Sequence, residues 1–378
     1  MADRTDTLRA RLIEAERLTG GWSTVHLDLS GDRENPEGLA ESRRRSVRDG
    51  LTRQGADEAT ALAIDEALAI PSGLPSPRSR FLLARDGRVV IDEHVPGATR
   101  EETLEVGPLP RIAPLIGTGV DEFAYLVVQA SRDGGDIAVH RTGAFFPVST
   151  ASLQGRTDTI HKASSGGWSH LNHHEHVEEL WKQTQQELSA EVDRLVREVR
   201  PRLVVVSGDL RARGLLLAAL APASRAIAVE LKKDLRSDGG GEEDLDRLVG
   251  EQVAEVERRD RVEAFDALRA RLAQERPTAD VGLRTVVEAL RQGQVDTLLV
   301  DVEALDGERL LALAEVPWLA IDPEDAGPAA VIGPVPAVEA LLRAALLTEA
   351  RILTTADGDI AAGAAALLRW PVGASASA

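Results

Sequence analysis

Five of the eight histidines in this 378-residue chain fall in one stretch, HKASSGGWSHLNHHEH, from His161 to His176. Imidazoles at this density could hold a metal ion, move protons or, once protonated, touch a polyanion. His170 and His174 would share one face of a helix, and Glu175 adds a carboxylate. The spacing is nevertheless not HExxH, because the second histidine required after His174-Glu175 is missing. The chain has no cysteine, which removes thiolate-bound zinc, thiol catalysis and disulfides together. A solvated polar loop accounts for the cluster better than a metal site does, so neither metal nor cofactor is expected.

Two other chemistries are as weak. Ser164, His161 and Asp158 supply the residue types of a nucleophilic triad, but no G-x-S-x-G elbow presents the serine. A flexible loop would also hold three such groups too loosely for catalysis. For nucleotides there is neither GxxxxGK[ST] nor a GxGxxG between a strand and a helix. Ser207-Gly208-Asp209, which follows an apolar run, reads as a turn and a helix cap.

Charge distribution says more. The chain carries 62 Asp and Glu and a formal net charge of -18, which argues against indiscriminate coating of nucleic acid. Yet Asp158 is the only acid between Asp136 and Glu175, while Arg141, Arg156 and Lys162 are basic there. Ser164-Ser165-Gly166-Gly167 permits close backbone approach and positive φ. Trp168 offers a face on which a base can stack. The candidate RNA contacts are therefore Arg156, His161, Lys162, Ser164, Ser165, Gly166, Gly167 and Trp168, continuing through Ser169, His170, Asn172, His173 and His174. The rival account is a variable surface loop with incidental histidines. Arg43, Arg44 and Arg45, with Arg48, form a second basic patch that reads either as a solvated helix face or as a further backbone contact.

Three segments must position these residues. In the first, residues 1–119, Leu8, Leu12, Ile13 and Ala15 predict a helix that stops at Gly20-Gly21. A strand follows from Trp22 to Leu29, then helices near 37–50 and 56–69. RFLLARDGRVVIDEHV predicts a hairpin turning at Asp86-Gly87, and Pro108 to Pro114 reads as a connector. The second segment, 120–277, begins with a hairpin made of FAYLVVQAS and DIAVHRTG. A polar stretch without helical or strand period, 147–174, comes next, and it is far longer than the ~4–6 residues of an ordinary connection. From Glu175 an apolar stripe that includes Leu180, Trp181, Leu188, Val192 and Leu195 predicts a long helix to Val199. A buried strand at Leu203–Val206, a helix over 209–220, a strand at 226–229 and a charged helix over 242–276 complete the segment. The third segment, 278–371, reads as helix 283–292, strand 297–302, helix 307–314, strand 318–321, helix 336–346, strand 352–353 and helix 359–368. Residues 372–378 read as a disordered tail. The expected fold class is α/β (α+β) in three domains.

The order hairpin, long loop with Gly166-Gly167 near its tip, long helix, VVVSGD and further helix resembles the middle domain of the archaeo-eukaryotic peptide-chain release factor and Pelota superfamily. The third segment is similar to that superfamily's C-terminal domain, an α/β sandwich of the ribosomal protein L7Ae type. The resemblance covers about residues 120–371, and among bacterial members the chain looks most like the actinobacterial Balon-type ribosome hibernation factors. It implies a ribosome-binding role in the A site, with the loop reaching ribosomal RNA at the peptidyl-transferase centre and with elongation factor Tu as delivery partner. Where the release factors have Gly-Gly-Gln, this chain has Gly166-Gly167-Trp168. Indole has one N–H donor, no acceptor and much more bulk than a carboxamide. The resemblance therefore implies a hibernation factor that does not hydrolyse peptidyl-tRNA, the alternative being an active peptide-chain release factor. The N-terminus lacks the apolar core of a signal peptide, and no apolar run approaches the ~18–20 residues of a membrane span, so a cytoplasmic location is expected.

Overall fold

The structure, a computed structural model, describes residues 8–30, 36–99, 101–116, 123–154, 169–231, 242–355, 360 and 362–371. Of these, 36–39, 169–180 and 242–243 are described as backbone. The chain divides into two compact units, Met1–Asp121 with Arg261–Ala378, and Glu122–Asp260.

The first unit starts with α1 (Leu8–Arg17) and β1 (Trp22–Asp28), followed by α2 (Pro36–Arg53) and α3 (Glu58–Ala69). Asp57 caps α3 by accepting from the Thr60 N–H at 2.8 Å. β2 (Arg78–Arg85) and β3 (Arg88–Pro96) form the expected hairpin, and Asp86 and Gly87 take the positive φ values, 49° and 73°, that its tight turn demands. β4 (Thr103–Gly107) completes a sheet ordered β3-β2-β1-β4. Strand alternation splits the apolar side chains between two faces. Val25, Leu27 and Leu82 meet Val47, Leu51 and Ile64 of the helices, while Trp22, Phe81 and Leu83 face the other way.

The second unit is built on β5 (Ala124–Ser131), β6 (Gly134–Arg141), β7 (Ser149–Gln154), α4 (Ser169–Val199), β8 (Leu203–Gly208), α5 (Leu210–Ala219), α6 (Pro222–Ala226) and β9 (Ala228–Glu230), and the boundary at Asp260 falls inside α7 (Glu242–Leu272). Its sheet runs β7-β6-β5-β8-β9, antiparallel through β7, β6 and β5 and parallel through β5, β8 and β9. The stripe on α4 behaves as its spacing predicts. Leu188, Val192 and Leu195 pack on Leu126, Val128, Ile137, Val204 and Val206. The opposite sheet face, with Val127, Leu203 and Val205, is covered by Leu245 and Val249 of α7.

The remainder of the first unit holds β10 (Ala279–Val281), α8 (Leu283–Arg291), β11 (Val295–Asp301), β12 (Arg309–Leu313), β13 (Leu319–Ala320), β14 (Val331–Pro336), α9 (Ala337–Leu347), β15 (Arg351–Thr355) and β16 (Ala364–Leu368). These strands form two sheets, β10-β16-β11-β15 and β13-β12-β14. α9 is buried along its length, and one core joins Leu12, Trp22 and Phe81 to Val286, Leu298 and Leu341. The architecture is α/β (α+β), as expected. Two expected helices are strands instead: 307–314 holds β12 and 359–368 holds β16. The polar stretch 147–174 contains β7, and α4 starts at Ser169, ahead of Glu175. Among the described residues no helix is long and apolar enough to cross a membrane.

Candidate functional site

The histidine- and glycine-rich segment leaves the sheet at the end of β7, Gln154, and enters α4 at Ser169. Arg156, His161, Lys162, Ser164, Ser165, Gly166, Gly167 and Trp168 lie outside the described residues. Ser169, His170, Asn172, His173 and His174 fall in the first turns of α4, which are described as backbone. The structure thus defines the platform from which the segment springs.

That platform is one edge of the middle sheet. Gln154 pairs with Gly134, beside the β5–β6 turn, and the C-terminal ends of the parallel strands β5 and β8 lie at the same edge. The chain turns from β8 into α5 at Gly208, where φ is +105° and a Cβ would come within 2.0 Å of the Ala130 carbonyl oxygen. Only glycine fits there. Asp209 then caps α5, accepting from the N–H groups of Arg211 at 3.0 Å and Ala212 at 3.1 Å. It also accepts from Arg132 Nε at 3.1 Å. Burial pushes the Asp209 carboxyl up, but the Ala212 N–H and Arg132 outweigh it and hold the group below the usual carboxylate range.

α4 is pinned to this edge by two further contacts. The Arg132 guanidinium sits over the Trp181 ring, 5.3 Å from its centroid. Fully buried Gln185 donates through Nε2 to the Ser131 carbonyl at 2.8 Å. Arg213, buried beneath the turn, donates to the Gly208 carbonyl at 3.0 Å and to Glu230 Oε1 at 3.1 Å. Arg132, Trp181 and Gln185 therefore hold α4 at the ends of β5 and β8, where Asp209 and Arg213 shape the turn into α5. Sequence reasoning identified Asp209 as a cap and Trp181 as part of the stripe. It missed Arg132 and Gln185, whose only local signal is a place beside a turn and a polar position within an apolar stripe.

The second basic patch has close acids. Arg43 pairs with Glu102, Arg45 Nη2 lies 3.0 Å from Glu41, and Arg44 and Arg48 approach Asp65 at 4.0 and 3.9 Å. These arginines are therefore partly countered by the protein's own carboxylates. No group of three or more His, Asp or Glu placed to hold a metal occurs among the described residues.

Residues 124–274, from the start of β5 to just past α7, match the model of the bacterial archaeo-eukaryotic release factor family 2. This segment is release-factor-like. Two uncharacterized proteins of Mycobacterium tuberculosis, from strains CDC 1551 / Oshkosh and ATCC 25618 / H37Rv, are each 26% identical to the chain over 299 residues, 79% of this chain and 78% of theirs. Among solved structures, S. cerevisiae Dom34, described as a translation termination-like factor interacting with Hbs1, matches at 8% identity over 79% of this chain and 81% of its own, with a TM-score of 0.40. Archaeal Pelota, from a model of its ribosome-bound state with ABCE1, matches at 14% identity over 97% and 95%, with a TM-score of 0.41. The last two scores are low, and the release-factor-like character rests on the match over 124–274 and on the order of elements within it.

Proposed function

We propose that this protein is a cytoplasmic ribosome hibernation factor that lodges in the A site and carries its middle-domain loop, around residues 161–174, to the peptidyl-transferase centre without hydrolysing peptidyl-tRNA. One observation carries the reading: within a release-factor-like domain, the segment ending in Gly166-Gly167-Trp168 joins β7 to α4. That is the place from which the release-factor loop projects in the family the chain resembles. A carboxamide both donates and accepts and so can orient an attacking water, whereas an indole N–H can only donate. Trp168 therefore fills the space and leaves the ester untouched. The acid-poor stretch around it meets ribosomal RNA, and the exposed parts of Arg43, Arg44 and Arg45 contact RNA backbone nearer the decoding site. The C-terminal region meets ribosomal protein or elongation factor Tu, which delivers the factor. In this reading the protein is not an enzyme.

The test is co-sedimentation with ribosomes from growing and stationary cells, with and without elongation factor Tu, alongside release of labelled peptide from ribosome-bound peptidyl-tRNA. Binding without release is expected. Failure to pellet with ribosomes under every condition overturns the reading, and efficient release replaces it with an active release factor.

A further inference from the structure

The outer edge of the middle sheet carries a surface that the ribosome reading does not use. From Thr142 to Gly155 the sequence TGAFFPVSTASLQG contains no charged side chain, in a chain that is 28% charged. β7 lies inside this strip and pairs on one side only, with β6; among the described residues no strand pairs with its other side. Natural edge strands are usually blunted by lysine, proline, an inward charge or a bulge. Ser149–Gln154 has no such residue, and its register with β6 is unbroken. Immediately before it, Phe146 and Val148 are 58% and 60% exposed. A phosphate backbone requires cations, and this strip has none, so its chemistry fits a protein strand and not RNA.

Beside the edge, an open groove of about 610 Å³ runs between β7 and α4. Ala151, Leu153 and Ala190 give it an apolar floor. α4 lines it with Glu187, Glu191, Arg194 and Arg197, acids first and arginines second along one stripe. That order is self-complementary. If α4 lies antiparallel to its copy about a two-fold axis near residue 192, Glu187 faces Arg197 of the second copy and Glu191 faces its Arg194. The middle of β7 lines the same groove through Ala151, Ser152 and Leu153, so an antiparallel ladder of β7 with its copy uses the same axis. The lengths agree as well, about 15 Å from residue 187 to 197 of a helix and about 17 Å from end to end of a six-residue strand.

We propose that this protein forms a two-fold dimer in which β7 pairs antiparallel with β7 of a second copy and the acidic and arginine halves of the α4 stripe cross between copies. One patch that meets itself is what a two-fold interface requires. An unrelated strand could extend the sheet but would have no reason to match the acid-to-arginine order. The net charge of -18 opposes self-association in general, so the crossed pairs and the uncharged strip have to outweigh that repulsion.

Sedimentation equilibrium of the full chain over a wide concentration range tests this. The wild type is expected to reach twice the chain mass. Ser152→Lys places a charge on the edge and is expected to weaken dimerisation at least tenfold. Glu187→Arg with Glu191→Arg, and separately Arg194→Glu with Arg197→Glu, each set like charges face to face and should leave monomers. Mixed in equal amounts, these two variants should recover a heterodimer. The pairs that Arg194 makes within its own helix are exposed, so reversing them costs the fold little. Chain mass at every concentration overturns the proposal. So does a dimer that none of the variants weakens, or a mixture that stays monomeric while the wild type dimerises.

Discussion

An indole and a carboxamide differ in what they can do for water, and Trp168 is the residue at which that difference decides the proposed role. If Trp168 is what withholds hydrolysis, Trp168→Gln raises release of labelled peptide at least tenfold above wild type with ribosome binding unchanged; equal release by both proteins places the block elsewhere. The base of the segment makes a second residue-scale prediction. Arg132 joins Asp209 to Trp181 at the sheet edge while more than half exposed. Arg132→Ala therefore costs the fold no more than about 1 kcal/mol. Because it releases the anchor that aims α4, ribosome affinity should fall at least fivefold. A melting temperature close to wild type with unchanged ribosome affinity would show that the anchor does not aim the segment. Gly208 is the opposite case. A Cβ there meets the Ala130 carbonyl at 2.0 Å and φ is +105°, so Gly208→Ala should cost at least about 2 kcal/mol in a denaturation midpoint. A midpoint within error of wild type would mean that the turn relaxes freely.

At the scale of elements, α9 ties distant parts of the first unit together through buried charge. Glu339 accepts from the N–H groups of Ile112 at 2.8 Å and Ala113 at 3.2 Å, with Arg111 at 3.7 Å and Glu16 and Arg343 also close by. Burial pushes the Glu339 carboxyl up to about 7, against the pull of those N–H groups and Arg111. Burial raises Glu16 too, against Arg343. A carboxyl whose folded pKa lies above its unfolded value stabilises fully below the unfolded value, and that contribution is lost as pH rises through the folded one. Wild type should therefore lose stability between pH 4.5 and about 7, on the order of a few kcal/mol. Glu339→Gln should flatten this part of the curve, and parallel urea curves for the two proteins at pH 5 and pH 8 would remove Glu339 as its cause. Such long-range ties are what the sequence conceals. The α4 stripe, both hairpins and the Leu203–Val206 strand were legible because each is specified by periodicity or turn chemistry within a dozen residues or so. β12 and β16 were not: LLAL and AAALL are short apolar runs that suit a helix, and only pairing with β14 and with β11 makes them strands. β7 shows only Ala151 and Leu153 alternating among Ser, Thr and Gln, too weak an apolar pattern to mark a strand. The place of the candidate segment was readable from its flanks, whereas Arg132 meets Trp181 and Asp209 only after the sheet has formed.

Over the whole molecule, the histidines separate into two groups by their place in the chain. His26, His94 and His140 stand outside the cluster, and burial lowers all three from the ordinary imidazole value. The neighbouring Arg80 lowers His94 further, and Asp28 and Asp246 only partly offset burial at His26 and His140. On the proposed function, imidazole protonation between pH 8 and pH 6, around the ordinary value near 6.5, adds positive charge to the stretch that holds the five histidines from His161 to His176. That gain is placed where a chain of net charge -18 is otherwise poorest in acids, and it strengthens attraction to phosphate there. On the proposed function, ribosome affinity should be severalfold tighter at pH 6 than at pH 8, with a steeper salt dependence at the lower pH. Glu339 also changes charge in this interval, so Glu339→Gln belongs in the same titration and should keep the full pH response. A variant with the five clustered histidines replaced by asparagine should lose that response. Equal affinity of the wild type at both pH values would remove protonation of the cluster from the binding mechanism and leave Trp168 and the basic residues to account for it.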